Sequence, residues 1–273
     1  MNSLGILKGR RVRAVVLDVR GTLIHPVLDE PVSSQLIALL HQLLRANVIV
    51  AVNTATSIQS LQGLLLAPLH SGVTDVSVLA KLVLYVDSST AAYRINATGD
   101  SVPLSGFKPL HFSDAELGGI CEAMAQAVTE FNLRGVTRKI KAGQVNFYCG
   151  GTWSQRSSIA QSLDRRFVDG RLDRVVAMVP TAKETIDIAI CKKDRGIQDL
   201  LERFSLAAAD LIIIGDSMQE SAPDLDMARS APDCIAIQVG QVTPADGILH
   251  LLEMEAPIAV GHILEEVLRS FNE

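Results

Sequence analysis

The sequence predicts an α/β fold, in which a doubly wound parallel sheet forms the core and an α+β domain is inserted into it. Near both ends of the chain, short buried strands alternate with amphipathic helices, which is typical of a parallel sheet covered on both faces. In between, strands with one polar face occur beside long helices. The predicted domains are a discontinuous core of residues 1–86 and 191–273 and a cap domain of residues 87–190.

The first part of the core consists of strands and helices in alternation. A continuous apolar run that ends at Leu17 predicts the first buried strand. Ser33 or Ser34 is the predicted N-cap of the first helix, and Thr54 or Thr56 that of the second. The predicted elements are a strand at 12–17, a helix at 33–44, a strand at 48–52, a helix at 56–65, and strands at 76–79 and 82–86.

The cap domain and the rest of the core follow from the same patterns. In the cap we predict strands at 91–95 and 144–148, helices at 113–131 and 154–167, and an antiparallel pair at 175–179 and 185–190 around the turn Pro180-Thr181-Ala182. In the core we predict a helix at 197–204, a strand at 211–214, a further helix, a strand at 234–239 and a closing helix at 258–271.

Composition excludes several classes of protein. With 48% hydrophobic and 20% charged residues, the chain is expected to be globular rather than disordered. A net charge of −5 argues against nucleic-acid binding. The four cysteines are widely spaced, and we predict free thiols. No segment has the pattern of a signal peptide or a membrane span, so we expect a soluble cytoplasmic protein without a membrane partner; the sequence predicts no oligomeric state.

Acidic residues follow two of the predicted buried strands. The segment Val15–Leu23 reads VVLDVRGTL, so that Asp18 ends an apolar run and a Gly-Thr turn follows. The segment Leu211–Ser217 reads LIIIGDS, with Asp216 in the same position. The carboxyl ends of strands in open α/β sheets are where ligands bind. Two carboxylates that meet there repel each other unless a hard cation such as Mg²⁺ lies between them.

Two further segments complete the candidate site. The sequence Asn53-Thr54-Ala55-Thr56 follows a predicted strand, and a hydroxyl with exposed backbone N–H groups at such a turn suits a phosphoryl oxygen. The sequence Lys192-Lys193-Asp194-Arg195-Gly196 stands where the chain re-enters the core and a helix begins, and it supplies cationic side chains.

Together these motifs resemble those of the haloacid dehalogenase-like (HAD) phosphohydrolases, whose nucleophile motif is Asp-x-Asp-Gly-Thr-Leu. The resemblance covers essentially the whole chain and implies a Rossmann-like core. The cap resembles that of the Cof-type and phosphomannomutase-like branch in the order of its predicted elements and in the segment Gln144-Val145-Asn146-Phe147. The resemblance implies that Asp18 is the nucleophile and that Thr54 and Ala55 lie at the phosphoryl group. The usual Thr-Gly-Arg is matched only at Thr54.

The resemblance also implies a basic residue and a metal site. The family's Lys-Gly pair aligns best with Arg195-Gly196, and Lys193 is the other candidate. Mg²⁺ would be held by Asp18, the backbone carbonyl of Arg20, Asp216 and one more acid. That acid is Glu220, or Asp224 if the loop is longer, and we favour Asp224.

Arg20 is the main departure from the family pattern, because an aspartate normally stands there and moves the proton of the leaving group. A guanidinium stays charged and has no lone pair to accept a proton. The proposed nucleophile and metal ligands are still present, and on these motifs we predict a Mg²⁺-dependent phosphatase or phosphotransferase that acts on a small phosphorylated metabolite through an aspartyl-phosphate. The reaction could proceed without an aspartate at position 20 in two ways. A cap residue such as His111 or Glu130 could supply the proton, or the substrate could have a good leaving group that needs no proton. The alternative is a catalytically impaired relative that binds a phosphorylated ligand or a protein partner.

Overall fold

A large eight-stranded sheet and a smaller cap sheet organise the chain. The computed structural model describes residues 7, 10–26, 28–73, 75–180, 184–220, 222–241, 243–251 and 254–271. The strands are β1 (Ala14–Leu17), β2 (Ile49–Asn53), β3 (Leu82–Val86), β4 (Ala91–Ile95), β5 (Ser101–Pro103), β6 (Thr137–Ile140), β7 (Gln144–Tyr148), β8 (Val176–Met178), β9 (Thr185–Ala189), β10 (Leu211–Gly215), β11 (Ile235–Val239) and β12 (Leu249–Leu251). The large sheet has the order β12-β11-β10-β1-β2-β3-β4-β5, and the cap sheet the order β6-β7-β9-β8.

The large sheet is doubly wound, as the sequence predicts. From β1 the chain moves outward through β2 and β3, and after the cap it returns to β10 on the other side of β1 and moves outward through β11 and β12. All of these neighbouring strands pair in parallel. The order of the strands therefore reverses between β1 and β10, and a crevice at the carboxyl ends of such strands is where open α/β sheets bind ligands.

Helices cover both faces of the large sheet. The described helices are α1 (Ser34–Arg45), α2 (Ile58–Leu61), α3 (Ala67–Ser71), α4 (Asp114–Glu130), α5 (Trp153–Asp169), α6 (Asp194–Phe204), α7 (Pro223–Arg229) and α8 (Ala256–Ser270), with a π-helical turn, Gln62–Leu66, between α2 and α3. Of these, α4 and α5 pack on the cap sheet instead. Alternate residues of β1 point to opposite faces: Val15 and Leu17 pack with α1 and α8, and Val16 packs with α6 and α7. None of the described helices combines the length and apolar composition needed to cross a membrane.

The cap sheet is antiparallel and has its own core. Its inner face carries Val145, Phe147, Ile186 and Ile188, all at most 1% exposed, which pack against α4 and α5. The predicted antiparallel pair is confirmed as β8 with β9, whereas Thr181 and Ala182 of the predicted turn lie outside the described residues. The four cysteines are free thiols, as predicted.

Two local predictions differ from the structure. Residues 76–79 are not a strand but part of a 3₁₀ helix, Val76–Lys81, because a four-residue apolar run does not distinguish a strand from a helical turn. Ser57, rather than Thr54 or Thr56, is the N-cap of α2, since its hydroxyl accepts from the Ser60 N–H.

The pairing of two strands bears on where the cap begins. Strands β4 and β5 lie within the predicted cap domain, yet they continue the large sheet, since β4 pairs antiparallel with β3 and β5 pairs antiparallel with β4. Residues 87–90 form a tight turn between β3 and β4, so these strands form a hairpin at the edge of the core. The division at residue 87 stays a prediction, and strand pairing supports a boundary after Pro103.

Candidate active site

Three carboxylates converge where β1 and β10 end. These strands are neighbours, with Leu17 opposite Ile214, so Asp18 and the residue after Gly215 leave the sheet side by side. Asp224, at the start of α7, joins them from the loop that follows β10. One oxygen from each of Asp18, Asp216 and Asp224 lies within 4.8 Å of the others.

Lys193 supplies the positive charge of this cluster. Its ammonium donates to Oδ1 of Asp18 and to Oδ1 of Asp224, each at 2.6 Å, and its side chain is only 3% exposed. The amide Nδ2 of Asn53, at the end of β2, donates to the backbone carbonyl of Lys193 at 2.8 Å. The hydroxyl of Ser89 donates to Oδ1 of Asn53 at 2.8 Å. The lysine is thus held from the core sheet as well as by its ion pairs.

The electrostatics of the cluster favour a bound cation. Burial raises the pKa of Asp216 well above its ordinary value, and the negative charges of Asp224 and Asp18 raise it further. Burial also raises the pKa of Asp224 to about 6, although Lys193 acts in the opposite direction. Burial lowers the pKa of Lys193, but the charges of Asp18 and Asp224 outweigh it and hold this pKa above its usual range. One ammonium does not balance three carboxylates, and an all-oxygen donor set of this kind fits Mg²⁺.

Two glycines leave the space that these carboxylates occupy. A Cβ atom on Gly21, which has φ of +85°, would lie 2.3 Å from Oδ2 of Asp216. A Cβ atom on Gly215 would lie 2.4 Å from Oδ2 of Asp224. The Gly-Thr turn and the Gly-Asp strand end that mark the motifs in the sequence are therefore required for the close approach of the acids.

Replacing Gly21 by alanine should destabilise the protein, because it combines a left-handed backbone with a clash against Asp216. We expect the free energy of unfolding to fall by about 1–3 kcal/mol, measured by chemical denaturation. Gly118→Ala is the control, since Gly118 lies in α4 with nothing near its Cβ position. Equal stability of both variants would contradict this packing.

A small cavity adjoins the carboxylates. It has a volume of about 30 Å³, and Thr54 and Ala55 line it together with Asp18, Lys193 and Asp216. Thr54 is buried, and its Oγ1 accepts from the Thr56 N–H at 3.2 Å. The predicted phosphoryl-binding turn therefore lies beside Asp18.

A much larger cleft lies between the core and the cap sheet. Its volume is about 1030 Å³, and Arg20 and Ala55 line both it and the small cavity, so the two spaces adjoin. The cap contributes Lys141, whose ammonium donates to the carbonyl of Ala55 at 2.7 Å and pairs with Asp87 at 3.0 Å. The guanidinium of Arg20 pairs with Asp29 at the rim.

The structure separates the sequence-predicted candidates. Arg195, which the motif alignment favours, does not reach Asp18. It donates to the carbonyls of Ser89 (2.8 Å) and Lys108, and its guanidinium lies 3.9 Å above the ring of Phe107. The alignment to Arg195 is thus at odds with the geometry, and Lys193 is the lysine of the site.

The structure also shows which of the predicted acidic residues lie at the site. Asp224 belongs to the cluster, whereas Glu220 is exposed and pairs with Arg229. Glu130 pairs with Arg166 on the outer helices of the cap and does not line the cavity or the cleft. His111 does not line them either.

The sequence interpretation gave Asn53 no role of its own and did not single out Asp187. Asn53 carries a signal, because it stands at the end of a buried strand immediately before Thr54. Asp187 of β9 lines the small cavity from the cap side and is 1% exposed. Its only signal is a charged residue within an otherwise apolar strand, which does not say what the charge faces.

Comparisons with known proteins identify the fold. Neither a family model nor a curated protein sequence matches the chain. The structure of IMP-bound, N-terminally truncated IMP-nucleotidase from Plasmodium falciparum is similar, with a TM-score of 0.72 and 13% identity over 95% of this chain and 68% of that one. A trehalose-6-phosphate phosphatase from Aspergillus fumigatus has a TM-score of 0.60 and 15% identity, over 99% of this chain and 96% of that one. The chain therefore has the HAD-like fold, with a cap, that its motifs imply.

Proposed function

We propose that the protein is a Mg²⁺-dependent phosphatase or phosphotransferase that acts on a small phosphorylated metabolite. The observation that carries this proposal is the cluster of Asp18, Lys193, Asp216 and Asp224 at the point where the strand order reverses. Structural similarity to phosphatases supports it, although at identities that by themselves concern only the fold.

In this proposal, Asp18 attacks phosphorus and forms an aspartyl-phosphate, which water then hydrolyses. Lys193 holds the attacking carboxylate in place and offsets its charge as the phosphoryl group approaches. Thr54 and the backbone of Ala55 bind phosphoryl oxygens, since both line the cavity beside Asp18. Asp187 and Pro180 border this cavity from the cap side, and in this proposal the cap limits the access of bulk water to the reaction.

The metal ligands in this proposal are Asp18, Asp216, Asp224 and, by resemblance, the backbone carbonyl of Arg20. A bound Mg²⁺ would neutralise negative charge on the transferring phosphoryl group. It would also offset the charge that the chain itself leaves unbalanced at Asp216.

Asp216→Asn should stabilise the metal-free protein, because it removes a charge whose ionised form is disfavoured in the folded state. We expect the variant to have a higher free energy of unfolding than the wild type at neutral pH, where the wild-type carboxylate would have to be ionised. Mg²⁺ should raise the melting temperature of the wild type by mass action and have little effect on the variant. Both are measured by thermal unfolding with Mg²⁺ and with a chelator. The exposed Asp169, at the end of α5, provides a control, Asp169→Asn, that should keep the wild-type response.

The two adjoining spaces support the proposed substrate class. The small cavity suits a phosphoryl group, and the cleft of about 1030 Å³ has room for the rest of a metabolite. The cap side of the cleft carries the polar side chains Lys139, Asn146, Tyr148 and Glu184. Such a lining suits a hydroxylated leaving group. The similar structures include nucleotidase complexes with IMP and with ATP.

A panel of phosphate esters tests the proposal. It should contain IMP, trehalose 6-phosphate, an acyl phosphate and aryl phosphates, each with Mg²⁺ and with a chelator. We expect Mg²⁺-dependent release of phosphate and a thermal shift with Mg²⁺ and beryllofluoride, which mimics the phosphoryl group. Absence of both turnover and thermal shift would refute the proposed function.

Arg20 favours a second candidate, a HAD-fold protein that binds a phosphorylated ligand or a protein partner with little turnover. Its guanidinium is engaged with Asp29 and cannot carry the proton that the family's aspartate carries. Under this reading Arg20→Asp should create activity that the wild type lacks. A wild type that already turns over phosphate esters quickly would exclude it.

A further inference from the structure

Asp187 is a buried carboxylate that faces the proposed nucleophile across the small cavity. Asp18 borders this cavity from the end of β1, and Asp187 and Pro180 border it from the cap side. The cavity of about 30 Å³ can hold one or two water molecules, each of which needs roughly 10–15 Å³. Asp187 therefore lies beside the proposed reaction centre, on its cap side.

Hydrogen bonds orient this carboxylate through one oxygen only. Nδ2 of Asn146 donates to Oδ1 of Asp187 at 2.6 Å, and Oγ1 of Thr185 donates to the same atom at 3.3 Å. Among the residues that the structure describes, no donor binds Oδ2. This second oxygen is available to carry a proton at the cavity.

We propose that Asp187 performs the acid–base chemistry that Arg20 cannot perform. The inference rests on the proposed phosphatase function and explains how it survives the change at position 20. In phosphoryl transfer the attacking and leaving oxygens lie roughly in line on opposite sides of phosphorus. With Asp18 below, the leaving oxygen points to the cap side, where Asp187 lies.

The two half-reactions balance with this one residue. In the first, Asp18 bonds to phosphorus, the bond to the leaving oxygen breaks, and the proton on Asp187 moves to that oxygen. In the second, a water oxygen bonds to phosphorus, the bond between phosphorus and Asp18 breaks, and Asp187 accepts a proton from the water. The products are the alcohol and inorganic phosphate, and Asp187 is protonated again.

Two probes with different leaving groups test the assignment. Phenol needs a proton to leave efficiently, whereas 2,4-dinitrophenolate does not. Asp187→Asn should lower turnover of phenyl phosphate by about 10²- to 10⁴-fold. With 2,4-dinitrophenyl phosphate it should give a burst of one dinitrophenolate per enzyme, followed by slow turnover, because the aspartyl-phosphate forms but water is not activated. Equal loss with both esters and no burst would indicate a structural role and overturn the assignment, as would unchanged turnover of phenyl phosphate.

Three further variants complete the experiment. Asp169→Asn, an exposed aspartate of the cap, should leave both reactions unchanged. Arg20→Asp in the Asp187→Asn background should recover much of the lost turnover, since it restores a carboxylate at the family's position. Phosphatase activity that persists in Asp18→Asn would refute the proposed function itself, whereas activity lost there but kept in Asp187→Asn would refute only this assignment.

Discussion

Replacing Lys193 by methionine should lower the free energy of unfolding by about 3–5 kcal/mol, because it removes the buried partner of two carboxylates. Methionine fills a similar volume, so the loss comes from charge rather than from a cavity. The side chain of Lys193 is 3% exposed, and little water is available to take over the solvation of Asp18 and Asp224. Chemical denaturation measures the change, provided that the slope of the unfolding free energy against denaturant concentration is the same in both proteins. Saturating Mg²⁺ should restore part of it, since a cation offsets the same charges.

The neighbouring lysine is the matched control. Lys192 forms an ion pair with Asp226 at 3.0 Å, but its side chain is 43% exposed. A solvent-exposed pair contributes about 0–1 kcal/mol, so Lys192→Met should cost less than about 1 kcal/mol. A similar loss in both variants would show that the cluster around Asp18 does not depend on Lys193.

Asp18→Asn should reduce turnover of every phosphate ester by at least about 10³-fold, because a neutral amide is a poor nucleophile at phosphorus. The loss should include esters with good leaving groups, since it removes the bond-forming atom and not the proton donor. The fold should persist, because Lys193 keeps its ion pair with Asp224. Steady-state kinetics measure the turnover, and near-ultraviolet circular dichroism checks the packing.

Comparing Asp18→Asn with Asp187→Asn distinguishes the roles proposed for the two aspartates of the cavity. A burst of dinitrophenolate is expected from Asp187→Asn and not from Asp18→Asn, because only the first variant can form the aspartyl-phosphate. Asp169→Asn should behave as the wild type in both assays. A burst in Asp18→Asn would place the nucleophile elsewhere.

Much of the core was predictable from sequence because its signals are local. Buried parallel strands are apolar runs, and residues just after them leave the sheet at one edge, so Asp18 and Asp216 were expected to meet at the ends of β1 and β10. The glycines at 21 and 215 belong to the same local pattern, and the structure shows the carboxylates that need their space.

Tertiary structure alone decided which of several similar side chains reaches this edge. Lys193 and Arg195 are two residues apart at the start of α6, where each residue turns the side chain by about 100°, so they point to nearly opposite sides. Asp224 and Glu220 are also distinguished only by the tertiary structure. Asp224 lies against the end of β10, where its Oδ2 accepts from the Ser217 N–H at 3.1 Å.

The cap shows the same division between local and non-local information. Sequence alone determined that acids follow buried strands, that position 20 holds no proton carrier, and that a second module lies between two halves of an α/β core. The pairing of β4 and β5 with the large sheet, and the approach of Asp187 to Asp18 across about 170 residues of chain, depended on contacts between segments far apart in sequence. Local periodicity states which side of a strand is buried, and only the packing of whole elements determines what that side faces.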